Sequence, residues 1–139
     1  MAFYPGKGTV LKISTAAAST VLQACAQVAS ISPPAISNPE VDVTTLGSTW
    51  RQFIGSIADG GSFSADLVYD PADFTHARFM TLVAATTPEE TRIVFPTTVF
   101  TIFFRSLVTG FQKQNVVVDD AWRATATFKI DGVVTVTTV

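Results

Sequence analysis

The strongest constraint on the fold is a strict alternation of side chains near the end of the chain. Apolar residues occupy every second position of one stretch: Trp122, Ala124, Ala126, Phe128 and Ile130. Polar residues stand between and after them, and we call this second set the polar face: Arg123, Thr125, Thr127, Lys129 and Asp131. Successive side chains of a β-strand point to opposite sides, so the pattern predicts a strand with one buried and one solvated face.

The rest of the chain predicts a mainly β fold. β-branched, aromatic or alternating residues predict further strands at 9–14, 21–31, 62–69, 91–95, 99–108 and 133–139. The stretch 21–31 contains several polar residues, so we expect a pair of strands there. Gly132 predicts a turn or bulge before the final strand. The small residues at 14–20 predict a turn.

The strand at 99–108 differs from the others because it carries large apolar residues on both faces. Phe104 and Ile102 share one side with Phe100, whereas Phe103 lies on the other side with Val99. We therefore expect this strand to be covered on both faces.

One helix is expected between residues 73 and 85. Asp73 follows an Asp70-Pro71 turn and is a suitable N-cap residue. The expected apolar stripe consists of Phe74, Ala77, Leu82 and Val83, with Phe79 or Met80. Thr86-Thr87-Pro88 predicts the end of the helix.

Residues 40–71 combine turn-forming and apolar side chains in an unusual way. The segment contains Leu46, Trp50, Phe53, Ile54 and Ile57, and a strong turn signal follows at Asp59-Gly60-Gly61. Connections of this length are usually functional or disordered, and the aromatic residues argue against disorder. We therefore expect this segment to contact another molecule.

The composition favours an oligomer. The 139 residues suit one domain, 47% are hydrophobic and only 14% are charged, against about 25% in an average soluble domain. Mean hydropathy is +0.38, yet the sequence has no apolar run of the ~18 residues that a spanning helix needs. Burial of apolar surface between subunits is the expected explanation, and a monomer with an unusually large core is the alternative.

Charge and cysteine content exclude other classes of protein. The net charge is −2 with no basic run, unlike the usual nucleic-acid binder that reads sequence. The first residues do not resemble a signal peptide. Cys25 is the sole cysteine, so we expect no internal disulfide and folding in a reducing compartment.

No enzyme, metal site or cofactor site is expected. Gly6-Lys7-Gly8-Thr9 precedes a strand, whereas a phosphate-binding loop precedes a helix. Cys25 and His76 give no convincing nucleophile and base pair. Asp66, Asp70 and Asp73 are expected in capping and turn roles. The pairs at 89–90 and 119–120 are expected in solvated turns.

Two ordered sets of motifs resemble the major tail (tail tube) proteins of long-tailed bacteriophages. The first is VTTLGS at 43–48, then FIGSIADGG at 53–61 and an alternating strand into Asp70-Pro71. The second is a Phe/Thr-rich strand into Gly110-Phe111, an acidic 119–120 turn, and a Thr-rich strand into Asp131-Gly132. The resemblance covers about residues 40–135.

This resemblance implies a β-sandwich or barrel with one flanking α-helix, in a single domain over residues 1–139. Six copies would form a ring, and their sheets would join into a continuous inner barrel. Stacked rings would form a tube through which DNA passes, in a virion tail assembled in the bacterial cytoplasm. The implied partners are further copies and the tape-measure, tail-terminator and tail-tip proteins, with no membrane.

The resemblance also implies roles for particular residues. Residues 33–61 would form an extended segment, which we call the arm, that reaches a neighbouring subunit or ring through Thr44, Leu46, Trp50, Phe53 and Ile54. Asp59, Gly60 and Gly61 would form its hinge, and Gly132 a second turn. The channel would be lined by Arg123, Thr125, Thr127 and Lys129. The alternative for Trp50 and Phe53 is a lid on their own sandwich.

Two other functions remain open from the sequence. An inner tube protein of a contractile injection system would share the architecture and add a sheath as partner. An adhesive or carbohydrate-binding β-sandwich would need an exposed aromatic platform.

Overall fold

A computed structural model of the chain describes residues 6–16, 21–96 and 100–138. These residues form one α-helix, α1 (Phe74–Ala84), and nine strands. The strands are β1 (Val10–Ser14), β2 (Leu22–Ala24), β3 (Val28–Ser32), β4 (Glu40–Asp42), β5 (Phe53–Gly55), β6 (Ser62–Val68), β7 (Glu89–Val94), β8 (Phe100–Lys113) and β9 (Arg123–Thr138). The mainly β prediction is confirmed. Val99, Val139 and part of the expected turn at 14–20 lie outside the described residues.

Seven strands form one antiparallel sheet in the order β2-β1-β7-β8-β9-β6-β3, and β4 and β5 form a separate pair. The stretch 21–31 therefore contains two strands, as expected, but they lie at opposite ends of the sheet. Only residues 25–27 join them, so the sheet must curl until its ends meet. The Cys25 amide donates to the Leu11 carbonyl at 2.7 Å, and the Gln27 carbonyl accepts from Val68 at 2.9 Å.

The curled sheet encloses an aromatic core. The Phe63 ring stacks on Phe128 with centroids 4.3 Å apart and meets Phe104 edge-on at 5.0 Å. Phe79 of α1 contacts Phe128 from the helix side at 5.9 Å. All four rings are almost completely buried. Three strands and the helix thus share one core, which confirms the sandwich or barrel with one flanking helix.

The helix begins where the sequence predicts, but another of its faces is buried. The Thr75 amide donates to Asp73 Oδ1 at 2.9 Å, which confirms the N-cap. The buried positions are Thr75, His76, Phe79 and Leu82. Of the predicted apolar stripe, Phe79 and Leu82 are buried. The prediction is wrong for the remaining positions, Phe74, Ala77, Met80 and Val83, which are exposed. The helix turns Thr75 and His76 inward, where both find polar partners at Ala26.

One further prediction about the second half is corrected, and the expected covering of β8 on both faces is met on one face by this chain alone. Glu89 and Glu90 lie at the start of β7 rather than in a turn, and Glu89 is buried. In β8, one face is buried through Phe104, whereas Phe103 on the other face is only partly covered. Within a single chain, β8 is therefore covered on one side. The 119–120 turn is present as predicted.

β9 continues through Gly132 instead of ending there. Gly132 has a φ of 78°, and the pairing with β8 shifts register nearby, from Arg105 opposite Asp131 to Phe103 opposite Thr135. Such a shift is a bulge, as the glycine predicts.

Candidate assembly arm and channel face

The arm forms a long hairpin. Ser37 and Asp59 exchange backbone hydrogen bonds of 2.9 and 2.7 Å at its base. Farther out, Val41 pairs with Ile54 in the β4–β5 ladder, and the Val43 amide donates to the Gln52 carbonyl at 2.9 Å. Among the described residues, β4 and β5 pair only with each other. The hairpin therefore extends away from the main sheet.

Polar contacts hold the tip of the arm. The Asp42 carboxylate accepts from the Thr44 amide at 2.8 Å and from Arg51 at 3.2 Å. Hydrogen bonds from Thr44, together with Arg51, hold the pKa of Asp42 below its usual value. Thr44 Oγ1 also accepts from the Gln52 amide at 2.9 Å. Thr44 thus contributes to the internal structure of the tip.

The apolar side chains of the arm face solvent. Trp50 is 84% exposed and Phe53 is 48% exposed. The same holds for Val41, Val43, Leu46, Ile54 and Ile57. Trp50 and Phe53 therefore do not form a lid on their own sandwich. An isolated two-stranded hairpin is marginally stable in water, so contact with another surface would stabilise this one.

Both sides of the arm carry apolar groups. Val41 and its partner Ile54 lie on one side of the two-stranded ladder. Phe53 belongs to the next pair, opposite Asp42, and lies on the other side. A hairpin that packs on one surface needs one apolar side, whereas this hairpin offers two.

The base of the arm is tightly packed. A Cβ atom on Gly60 would lie 2.6 Å from Ile130 Cγ2, and one on Gly61 would lie 2.6 Å from the Ala35 carbonyl oxygen. Gly61 has a φ of 76°, and its carbonyl accepts from the Ile130 amide at 3.0 Å. These contacts attach the base of the arm closely to β9, and residues 59–61 form an irregular link without a hydrogen-bonded backbone turn.

An apolar groove of about 730 Å³ lies beside this base. Ile36 and Ile57 line its arm side, and Val133 and Val134 line its β9 side. Gly132 also borders the groove, with open space where a side chain would stand.

The polar face lies where the alternation predicts. Ala124, Ala126, Phe128 and Ile130 are buried, and the residues between them are partly or fully exposed. Thr125 Oγ1 donates to Asp66 Oδ1 at 2.7 Å, and Ser30 donates to the other Asp66 oxygen at 3.1 Å. Polar side chains from three neighbouring strands thus extend this face.

Both basic residues of the polar face are paired with carboxylates. Lys129 Nζ lies 3.3 Å from each Asp59 oxygen, and Arg123 Nη2 lies 3.3 Å from Asp120 Oδ1. The Gly61 amide and Lys129 hold the pKa of Asp59 below its usual value. Hydrogen bonds, first from Arg123, do the same for the pKa of Asp120. Both acids are therefore ionised near neutral pH.

These two ion pairs were not predicted from the sequence. Asp120 lies only three residues before Arg123, so the short separation in sequence could have indicated this ion pair. Asp59 lies 70 residues from Lys129 and meets it only because the arm base packs on β9.

The polar residues considered for chemistry have structural roles. Burial raises the pKa of the Cys25 thiol to about 11, so it stays protonated. His76 Nδ1 accepts from the Asp70 amide at 2.9 Å, which leaves Nε2 to donate to the Ala26 carbonyl at 2.7 Å. Asp70 accepts from the Ala72 amide at 3.0 Å, a turn contact as predicted.

The described ranges hold neither a candidate metal site nor a candidate membrane span. Residues 6–16, 21–96 and 100–138 contain no group of three or more His, Cys, Asp or Glu side chains arranged to hold a metal ion. In the same ranges, α1 is too short to span a membrane, and no other helix is present to do so.

Comparison with solved structures identifies the fold. The tail of an empty gene transfer agent (GTA) particle, refined with C6 symmetry, matches at a TM-score of 0.79 and 17% identity over 97% of this chain and 99% of that one. The SPP1 tail tube matches at a TM-score of 0.76 and 8% identity over 98% and 80% of the respective chains. A chain of the PVC sheath–tube complex, from an extracellular contractile injection system, matches at 0.74 and 10% identity over 98% and 92%.

No protein-family model matches the sequence, and no curated protein matches it. The structural similarity extends over nearly the whole chain, so it includes the helix and both ends of the sheet. The resemblance inferred from the motifs is confirmed at the level of the fold. This chain has the fold of the phage and injection-system tail tube proteins.

Proposed function

We propose that this chain is the structural subunit of a bacteriophage tail tube. Copies form hexameric rings, and the rings stack around a channel through which DNA passes during infection. The observation that carries the proposal is the match to a C6-symmetric GTA tail over nearly the full length of both chains.

The exposed arm supports assembly. Its apolar side chains are too numerous for a surface that stays in water, and large exposed apolar surfaces mark interaction sites. In the proposed tube, Leu46, Trp50, Phe53 and Ile54 contact a neighbouring subunit or ring. Thr44 supports that contact by holding the arm tip.

The curled sheet supports the ring. Among the described residues, β2 and β3 are the outermost strands of the seven-stranded sheet, and edge strands favour pairing with another chain. Sheets of six subunits join there into one inner barrel. The polar face of β9 lines the channel through Arg123, Thr125, Thr127 and Lys129, where hydroxyl groups contact DNA without holding it.

The proposal extends to the surroundings of the tube. The protein is structural and has no catalytic role. Its place is the virion tail, assembled in the host bacterial cytoplasm, with tape-measure, tail-terminator and tail-tip proteins as partners.

The test is electron microscopy of the purified protein at increasing concentration. We expect stacked rings or tubes with a central channel and sixfold symmetry. Light scattering that shows only monomers at millimolar concentration would contradict the proposal.

A contractile injection system tube is the second candidate, favoured by the match to a chain of the PVC sheath–tube complex. Both candidates predict tubes, so the sheath distinguishes them. Co-expression with the neighbouring genes of the source genome should yield bare tubes for the first candidate and sheathed tubes for the second.

A further inference from the structure

We propose that Asp59 and Asp120 prevent the polar face from binding phosphate, by neutralising the only two cations that β9 places there. This inference rests on the proposed channel role and names the residues that set the charge of its surface. The unusual feature is that both acids lie outside β9, one at the base of the arm and one in the β8–β9 turn.

The geometry supports specific pairing. Lys129 contacts both oxygens of Asp59 at 3.3 Å, and the Arg123 guanidinium contacts Asp120 through Nε at 3.4 Å and Nη2 at 3.3 Å. Each acid is itself held in place. Asp59 Oδ1 accepts from the Gly61 amide at 2.9 Å, and Asp120 Oδ1 accepts from the Ala121 amide at 2.8 Å.

The charges beside these two pairs add no positive surplus. Asp66 is bound by hydroxyl groups of Ser30 and Thr125. Farther along the sheet, Arg105 of β8 lies opposite Asp131 of β9 and Glu90 of β7 in the strand register, and its side chain donates to the Pro88 carbonyl at 3.2 Å. With Arg123 and Lys129 neutralised, a phosphate group meets mainly hydroxyl groups and carboxylates on this face.

Release of the two cations would change this surface. Protein cations that contact phosphates release counterions from DNA, and affinity then falls with salt by a slope of about −0.9 per contact on a log–log scale. Two freed cations per subunit predict a slope of about −1.8, or about a tenfold loss of affinity between 50 and 200 mM salt.

The experiment uses the double variant Asp59→Asn with Asp120→Asn. Asparagine keeps a carbonyl oxygen for the Gly61 and Ala121 amides, so the fold should be retained, as checked by circular dichroism and thermal melting. Fluorescence anisotropy then measures binding of a 30-base-pair DNA duplex to subunits kept below the concentration of assembly. We expect about tenfold tighter binding than wild type at 50 mM salt, with the predicted slope.

The control is Asp119→Asn with Glu40→Gln, which removes two negative charges elsewhere and so changes the net charge by the same amount. Asp119 adjoins Asp120 in the turn, and both control residues are exposed. Equal gains from both double variants would overturn the inference, because net charge alone would then explain them. Absence of any gain would also overturn it.

A third variant assigns the effect to one pair. Lys129→Gln added to Asp59→Asn should remove the gain that Asp59→Asn gives alone, and a persistent gain would contradict the assignment. Microscopy of the same proteins keeps the two proposals separate. Tubes without the binding change would refute only this inference, whereas the binding change without tubes would refute only the tube function.

Discussion

Gly60 packs against Ile130 so closely that no side chain fits between them. A Cβ atom on Gly60 would lie 2.6 Å from Ile130 Cγ2 and 3.1 Å from Ile130 Cβ. Ile130 is buried in the core and cannot move aside easily. Gly60→Ala should therefore destabilise the protein by about 1–3 kcal/mol through overpacking.

Thermal melting measures this effect, and Gly47→Ala is the matched control. Gly47 lies in the arm, and a Cβ atom added there would have no neighbour within 4 Å, so its replacement should leave the melting temperature almost unchanged. A loss of similar size in both variants would show that the Gly60 contact is not responsible.

The double change Trp50→Ala with Phe53→Ala should prevent tube assembly and leave the subunit folded. Both side chains are largely exposed, so their removal leaves no cavity in the core. Negative-stain microscopy reports assembly, and melting of the free subunit reports stability. Unimpaired tubes would refute the contact role.

Val118→Ala is the matched control for this double change. Val118 is fully exposed, but it lies in the β8–β9 turn, outside the arm. Tubes should form normally, because the proposed contact depends on the arm and not on exposed apolar area in general.

His76→Ala should destabilise the subunit by about 2–5 kcal/mol. The imidazole is fully buried and joins α1 to the β2–β3 link through its hydrogen bond to Ala26. Its removal leaves a cavity and two unpaired backbone groups, at Asp70 and Ala26. Urea unfolding measures the loss.

Met80→Ala provides the comparison on the same helix. Met80 points to solvent, so its truncation should cost less than about 0.5 kcal/mol. A His76→Ala variant as stable as Met80→Ala would mean that the two hydrogen bonds contribute nothing to stability.

Asp73→Ala should cost about 1 kcal/mol at neutral pH, the usual value for an N-cap. The Thr75 hydroxyl and backbone amides hold the pKa of Asp73 below its ordinary value of 3.8. A lowered pKa in the folded state means that the cap stabilises fully above pH 3.8 and loses its effect as the pH falls through the lowered value.

Urea unfolding of wild type and Asp73→Ala at pH 7 and below pH 3 tests this dependence. The difference between the two proteins should shrink in acid. Asp73→Ser, which keeps an N-cap acceptor that does not titrate, should retain most of the stability at both pH values. A difference independent of pH would contradict a role of the ionised carboxylate.

The features predicted correctly from sequence are those set by neighbouring residues. The alternation around Phe128 and around Phe63 follows from one buried face, and Asp73 caps the helix through an amide two residues away. For Trp50 and Phe53 the sequence left two alternatives open, contact with a neighbour or a lid on their own sandwich, and their exposure argues against the lid.

The features missed depend on residues that are distant in sequence. His76 faces inward and bonds to the carbonyl of Ala26, which lies 50 residues earlier in the chain. This contact rotates the buried face of the helix away from the predicted stripe. Lys129 meets Asp59 across 70 residues. No periodicity within one segment encodes such contacts, so the fold is needed to find them.

The link at residues 25–27 has a consequence for the order in which the subunit folds. β6 must find β9, about sixty residues farther along the chain, and the sheet closes only when this link bonds to both Leu11 and Val68. Contacts this distant in sequence form slowly, on a timescale of about milliseconds to seconds for β-rich domains. Because one short link places both edge strands, the two edges proposed to pair with neighbouring subunits should form in the same late step, and a chain that has not finished folding should not join the proposed tube.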